Sequence, residues 1–156
     1  MKQMKIPDSA NAIFDRDEPA FFNTYSSKDE LFQDPSGRSL LSSAIIEKLP
    51  RVIEFLLEFD DILTIPDKKG MLPLHICAVT NDVKTTKLLL EKGLNVDVKD
   101  FYGNTPLWRA TFNSNYELAK LLVKFGANPE IKNNNGISPL DFAIEVEDEK
   151  LLEILR

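Results

Sequence analysis

The chain has 156 residues, 43% hydrophobic and 28% charged, with six glycines, nine prolines and one cysteine, Cys77. That is the size of one folded domain with an ordinary globular composition, which excludes a disordered chain, a fibrous one and a disulfide scaffold. The formal net charge of −6 argues against nucleic acid as a partner, because phosphate binding needs a dense face of Lys and Arg.

Taken in chain order, the first eight residues carry positive charge but have no apolar stretch behind them, so a secretory signal is not expected. No apolar run approaches the roughly 20 residues that cross a bilayer; Phe55-Leu56-Leu57-Glu58-Phe59 is broken by a charge. The sequence therefore points to a cytoplasmic, reduced protein with no membrane partner. Net charge is −2 over residues 1–33, −3 over 34–66, +2 over 67–99, +1 over 100–132 and −4 over 133–156, so the ends are acidic and the middle mildly basic. In the opening segment Phe21, Phe22, Leu31 and Phe32 are too apolar for a free tail. Residues from about Pro19 to Gln33 are expected to form a degenerate half repeat or helix covering the first full unit, which begins at residue 34, and residues 1–14 to be loose.

From residue 34 onward the chain repeats. Gly37, Gly70, Gly103 and Gly136 lie 33 residues apart, each preceded at three residues by Asp34, Asp67, Asp100 or Asn133. Leu41, Leu74, Leu107 and Leu140 follow the glycines at four residues, and the small Ala44, Cys77, Ala110 and Ala143 at seven. Asp-x-x-Gly supplies a tight turn, with the short side chain bonding its own backbone and glycine taking a left-handed conformation. Thr105-Pro106 and Ser138-Pro139 read as a hydroxyl N-cap followed by proline at the first helical position. A polar break, Thr80-Asn81-Asp82 or Asn113-Ser114-Asn115, then opens a second helix whose apolar stripe is Leu88-Leu89-Leu90 in one copy and Leu118, Leu121 and Leu122 in the next. Gly93 and Gly126 end it. Each unit is thus two antiparallel helices and a protruding turn.

The segments Asp67-Lys68-Lys69-Gly70-Met71-Leu72-Pro73-Leu74-His75-Ile76-Cys77-Ala78 and Asp100-Phe101-Tyr102-Gly103-Asn104-Thr105-Pro106-Leu107-Trp108-Arg109-Ala110 resemble the ankyrin repeat, with its Gly-x-Thr-Pro-Leu-His-x-Ala core. The resemblance covers residues 34–156 in four units, 34–66, 67–99, 100–132 and 133–156, after an extension and degenerate helical cap over 1–33. It implies an all-α solenoid of stacked helix-turn-helix units with projecting turn or hairpin loops. The first unit departs from the pattern, with Ser39-Leu40 for Thr-Pro and Asp60-Asp61 for Gly-Ala. The fourth stops inside its second helix, as end units of such stacks do.

Little in the sequence suggests catalysis. The resemblance gives His75 a structural role, hydrogen bonded within its repeat. Cys77, two residues on, would point to a different helix face, and it occupies the small-residue column as a buried substitute for alanine. No zinc-ligand cluster or phosphate-cradling glycine loop is present in the sequence, so no enzyme activity, metal or cofactor is expected. The acidic runs Asp60-Asp61 and Glu147-Asp148-Glu149 fall at helix ends, and the second is accounted for by acids near a helix N-terminus suiting the dipole.

Function is then expected on the surface, where equivalent positions of successive repeats form a strip. The candidates for partner binding are Lys68, Lys69, Met71, Phe101, Tyr102, Asn104, Trp108, Phe112, Asn135 and Ile137. Phe101 and Tyr102 are the sharpest clue, because an exposed turn tip has no core to fill; against that, one ring could fold over a neighbouring turn. Trp108 stands where the family has histidine and could pack between repeats instead of recognising a partner.

The resemblance implies a noncatalytic module that binds another protein on its concave face, monomeric when free. A short, acidic, stand-alone chain of this kind also looks like bacterial immunity proteins, whose acidic ends would steer it to a basic toxic enzyme. The alternative is an adaptor or secreted effector that binds host proteins.

Overall fold

The computed structural model describes residues 6–29 and 31–156. Residues 1–5, part of the segment expected to be loose, lie outside the described residues. The described residues form ten α-helices, with one isolated β-bridge between Gln33 and Ser39. They fall into two compact units that divide after Lys68.

In the first unit, α1 (Asp8–Phe14) packs on α2 (Glu18–Thr24) and on α3 (Leu40–Glu47), while α2 and α3 pack on α4 (Pro50–Leu56). The loose start expected over residues 1–14 is therefore corrected for 8–14. Ala10, Ala12 and Ile13 are buried on α1, and that apolar burial is what holds a short helix in place. The helix pair α1 and α2 begins well before the Pro19–Gln33 segment. Its connection even contains a left-handed residue, Arg16, as the α3–α4 connection does at Lys48. The rings of Phe21, Phe22, Tyr25, Phe55 and Phe59 pack edge to face along α2 and α4, which explains the aromatic content of the opening segment. After α4, where Asp60-Asp61 replaces the usual glycine, the chain makes a 3-10 turn over Asp60–Thr64 that buries Ile62 and Leu63.

The second unit contains three helix pairs: α5 (Pro73–Thr80) with α6 (Val83–Glu91), α7 (Pro106–Phe112) with α8 (Tyr116–Lys124), and α9 (Pro139–Glu145) with α10 (Glu149–Leu155). First helices stack on first helices in the order α5, α7, α9, and second helices in the order α6, α8, α10. Leu74, Leu107 and Cys77, Ala110, Ala143 are wholly buried, as leucine and small-residue columns at such a stack must be. Thr105 and Ser138 cap α7 and α9 by accepting the N–H of Trp108 and Asp141 at 3.1 and 3.0 Å, each with proline next in the chain. Gly93 and Gly126 follow α6 and α8 in left-handed conformation. Asn81, Ser114 and Glu147, spaced by 33, turn the chain from first to second helix with φ between 53° and 56°.

Candidate functional site

The turns that open the repeats are built from inside outward. Asp100 is buried beneath its turn, where one carboxylate oxygen accepts the N–H groups of Tyr102 and Asn104, both at 2.9 Å, and the other pairs with the Arg109 guanidinium. Burial works to raise its pKa, but the bond to Arg109 and those from the backbone outweigh it and hold the carboxyl below the ordinary aspartate value. Asn133 makes the corresponding bonds in the next turn, to the N–H groups of Asn135 and Ile137 at 3.0 and 3.1 Å.

Neighbouring turns are also tied to one another. The N–H of Phe101 donates to the carbonyl of Lys69, and the N–H of Asn134 to that of Tyr102, both at 3.0 Å. The approach is close enough that a methyl group at Gly70 would meet the Phe101 ring, and one at Gly103 would lie 2.9 Å from the Asn134 nitrogen. His75 joins two repeats: its Nδ1 accepts the N–H of Leu72 and its Nε2–H donates to the Asn104 carbonyl, both at 3.1 Å. Burial lowers its pKa, against the opposing effect of that carbonyl. The ring is thus held neutral in a structural bridge that reaches beyond its own repeat. Burial likewise pushes the Cys77 thiol well up, with Asp82 adding to the effect, so the cysteine is an inert core residue.

Beside these turns and the exposed side of α7 lies a groove of about 400 Å³. Lys69, Met71, Tyr102, Asn104, Trp108, Phe112, Asn135 and Ile137, eight of the ten candidates, line it together with Arg109, Asn133 and Asn134. Met71 and Asn104 are buried and contribute no freely exposed surface. Asn104 is occupied by three neighbours, since its carbonyl receives His75, its side-chain oxygen receives the Asn133 amide at 3.0 Å, and its own amide donates to Asp100 at 3.4 Å. Lys68 belongs to the other unit. Phe101 is 69% exposed but does not line the groove; one side of its ring covers Gly70. Of the two turn aromatics, Tyr102 is the one that faces the groove.

The apolar wall is formed by Trp108 and Phe112 on α7, whose rings cluster with that of Phe142 on α9. Trp108 stacks on Phe112 with centroids 5.0 Å apart and planes 12° from parallel, and Phe142 closes on Phe112 at 5.4 Å. Arg109 lies 5.8 Å from the centre of the Trp108 ring. Trp108 therefore packs between repeats and faces the groove at once, while Phe112 remains 54% exposed. Sequence reasoning missed Arg109, which lines the groove, and Phe142, which packs against the rings of its wall. They occupy one column, 33 residues apart, whose other members are Ser43 and Ile76, so no shared residue type marks it in the sequence. No helix among the described residues is long and apolar enough to cross a membrane.

Comparison with known proteins bears on the same stretch. A family model described as ankyrin repeats, many copies, matches residues 74–123, which run from the start of α5 to the end of α8. No curated protein matches the chain. Residues 74–123 are thus similar to ankyrin repeats, and such repeats are protein–protein interaction modules.

Proposed function

We propose that this chain is a noncatalytic module that captures a partner protein in the groove bounded by Trp108, Phe112, Tyr102 and the Asn133–Gly136 turn. The observation that carries the reading is Phe112, whose ring is stacked on Trp108 yet leaves more than half its surface in water, at 54% exposure. Exposed aromatic side chains beside a groove are where interface energy concentrates. No cofactor enters this function, and the free chain is a monomer. The test is affinity between the chain and a partner purified with it from its native cell. Phe112→Ala should weaken binding by about tenfold or more with little change in melting temperature; undiminished affinity would refute the groove.

A narrower version makes the partner a basic toxic enzyme, neutralised as by an immunity protein in the cytoplasm. Its support is the net charge of −4 over residues 133–156 and −5 over 1–66, which would speed encounter with a cationic surface. Failure of the chain to protect cells from the product of an adjoining toxin gene would remove that version. The alternative, an adaptor or secreted effector acting on host proteins, would then be examined by following export of the chain through a secretion system.

A further inference from the structure

We infer that Asn135, at the tip of the last turn, is a site of self-modification: the backbone nitrogen of Gly136 attacks its side-chain amide and converts it to aspartate and isoaspartate. The chemistry belongs to the chain itself and goes beyond the proposed function, holding whether or not the groove takes a partner.

The residue types come first. Attack on an asparagine amide by the next backbone nitrogen is hindered by a side chain on that next residue, and glycine has none. Asn135-Gly136 is the only Asn-Gly pair in the chain. The two asparagines before it are engaged: Asn133 is buried with its side-chain oxygen on the N–H groups of Asn135 and Ile137, and the Asn134 amide donates to the Phe101 carbonyl at 3.0 Å. Asn135 is exposed and gives only its backbone N–H to these bonds.

The surroundings of the turn decide whether the folded chain can react. Cyclisation requires the Gly136 nitrogen to leave the carbonyl of Asn133, to which its N–H donates at 2.9 Å, so the turn must open locally. The equivalent glycines of the two preceding turns are each held under the following one, Gly70 by the Phe101 ring and Gly103 by Asn134. A methyl group at Gly136 would meet nothing within 4 Å among the described residues. This turn is fastened on one side, by the Asn134 N–H to the Tyr102 carbonyl and the Asn134 amide to the Phe101 carbonyl, and is the freest of the three to open.

As the bond from the Gly136 nitrogen to Asn135 Cγ forms, the Cγ–Nδ2 bond breaks. The Gly136 amide proton passes through water to the leaving nitrogen, which departs as ammonia. A water molecule then opens the cyclic imide, at Cγ to give aspartate or at the main-chain carbonyl to give isoaspartate, with one more methylene in the backbone. Either product carries a carboxylate that is ionised at neutral pH, on a residue that lines the groove. The chain thereby acquires a second, more acidic form.

The experiment incubates the full chain at neutral and at mildly alkaline pH, with the urea-unfolded chain as reference, and follows each asparagine by peptide mass spectrometry, isoaspartate being labelled with an isoaspartate-specific carboxyl methyltransferase. Asn135 should convert before any other asparagine, faster at alkaline pH and more slowly than in urea, and Asn135→Gln should lose the conversion. Asn134→Ser, which removes one fastening bond, should speed it about two- to fivefold. An Asn135 that stays intact in the folded chain while converting in urea, or another asparagine converting first, would overturn the inference. So would a rate unchanged in Asn134→Ser, since opening of the turn would not then control the reaction.

Discussion

Replacing Asp100 with asparagine separates two things its carboxylate does. The Asn133 turn demonstrates that an amide oxygen can accept both turn N–H groups, at 3.0 and 3.1 Å, so Asp100→Asn should keep the bonds to Tyr102 and Asn104. It loses the charged bond to Arg109, a class of interaction that contributes about 1.5–3 kcal/mol when buried. The Arg109 side chain is 20% exposed and recovers some hydration, which places the expected loss at about 2 kcal/mol. Asp100→Ala also strands the two N–H donors, adding about 1 kcal/mol for each, for a total near 4. Urea unfolding followed by Trp108 fluorescence and by helical circular dichroism would measure both. Repeating Asp100→Asn in an Arg109→Leu background isolates the coupling, since the loss should then fall sharply or reverse as a buried, unpaired charge is removed. A loss under about 0.5 kcal/mol in the parent chain, unchanged by Arg109→Leu, would refute the claim that this ion pair holds the turn. The wild-type contribution of Asp100 is present above the ordinary aspartate pKa and disappears as pH falls through its lowered folded value; Asp100→Asn should lack that part of the acid limb.

Leu107 is completely buried between repeats, so Leu107→Ala should destabilise by about 2–5 kcal/mol in the same denaturation assay, in contrast to the near-neutral Phe112→Ala. Gly70→Ala combines a φ of +76° with a clash against the Phe101 ring, and a loss of at least about 1 kcal/mol is expected; Phe101→Ala in the same chain should recover part of it, and no recovery would mean the ring does not hold the turn. His75 is the only histidine and its folded pKa is below 6.5. As pH falls through 6.5 the unfolded chain takes up a proton that the native ring refuses, so stability should decline at no more than about 1.4 kcal/mol per pH unit until the folded value is reached, and be flat above neutrality. Urea midpoints across that range should lose this slope in His75→Gln; a slope that persists would assign the titration elsewhere.

The turns matter to the groove because they are rigid. Backbone bonds run from Asn134 to Tyr102 and from Phe101 to Lys69, and Asn104 ties His75, Asp100 and Asn133 together. The side chains that line the groove are thus carried on turns tied to one another by backbone bonds, and under the proposed function that rigidity would limit the entropy lost on binding.

The sequence by itself determined the repeat. A period of 33 set the turns, proline after a hydroxyl residue set the starts of α7 and α9, and Gly93 and Gly126 marked the ends of α6 and α8, because capping and left-handed turns are local demands met by a few residue types. It also brought eight of ten surface candidates to one groove, since equivalent columns of stacked units are neighbours in space. What local chemistry could not supply was the direction and burial of each side chain. That Asn104 and Met71 lie buried, that Phe101 spends one face on Gly70, and that Arg109 turns inward to Asp100 while lining the groove are outcomes of contacts between repeats. The helix Asp8–Phe14 was illegible for the same reason: its few apolar residues specify a helix only once α2 and α3 are there to cover them.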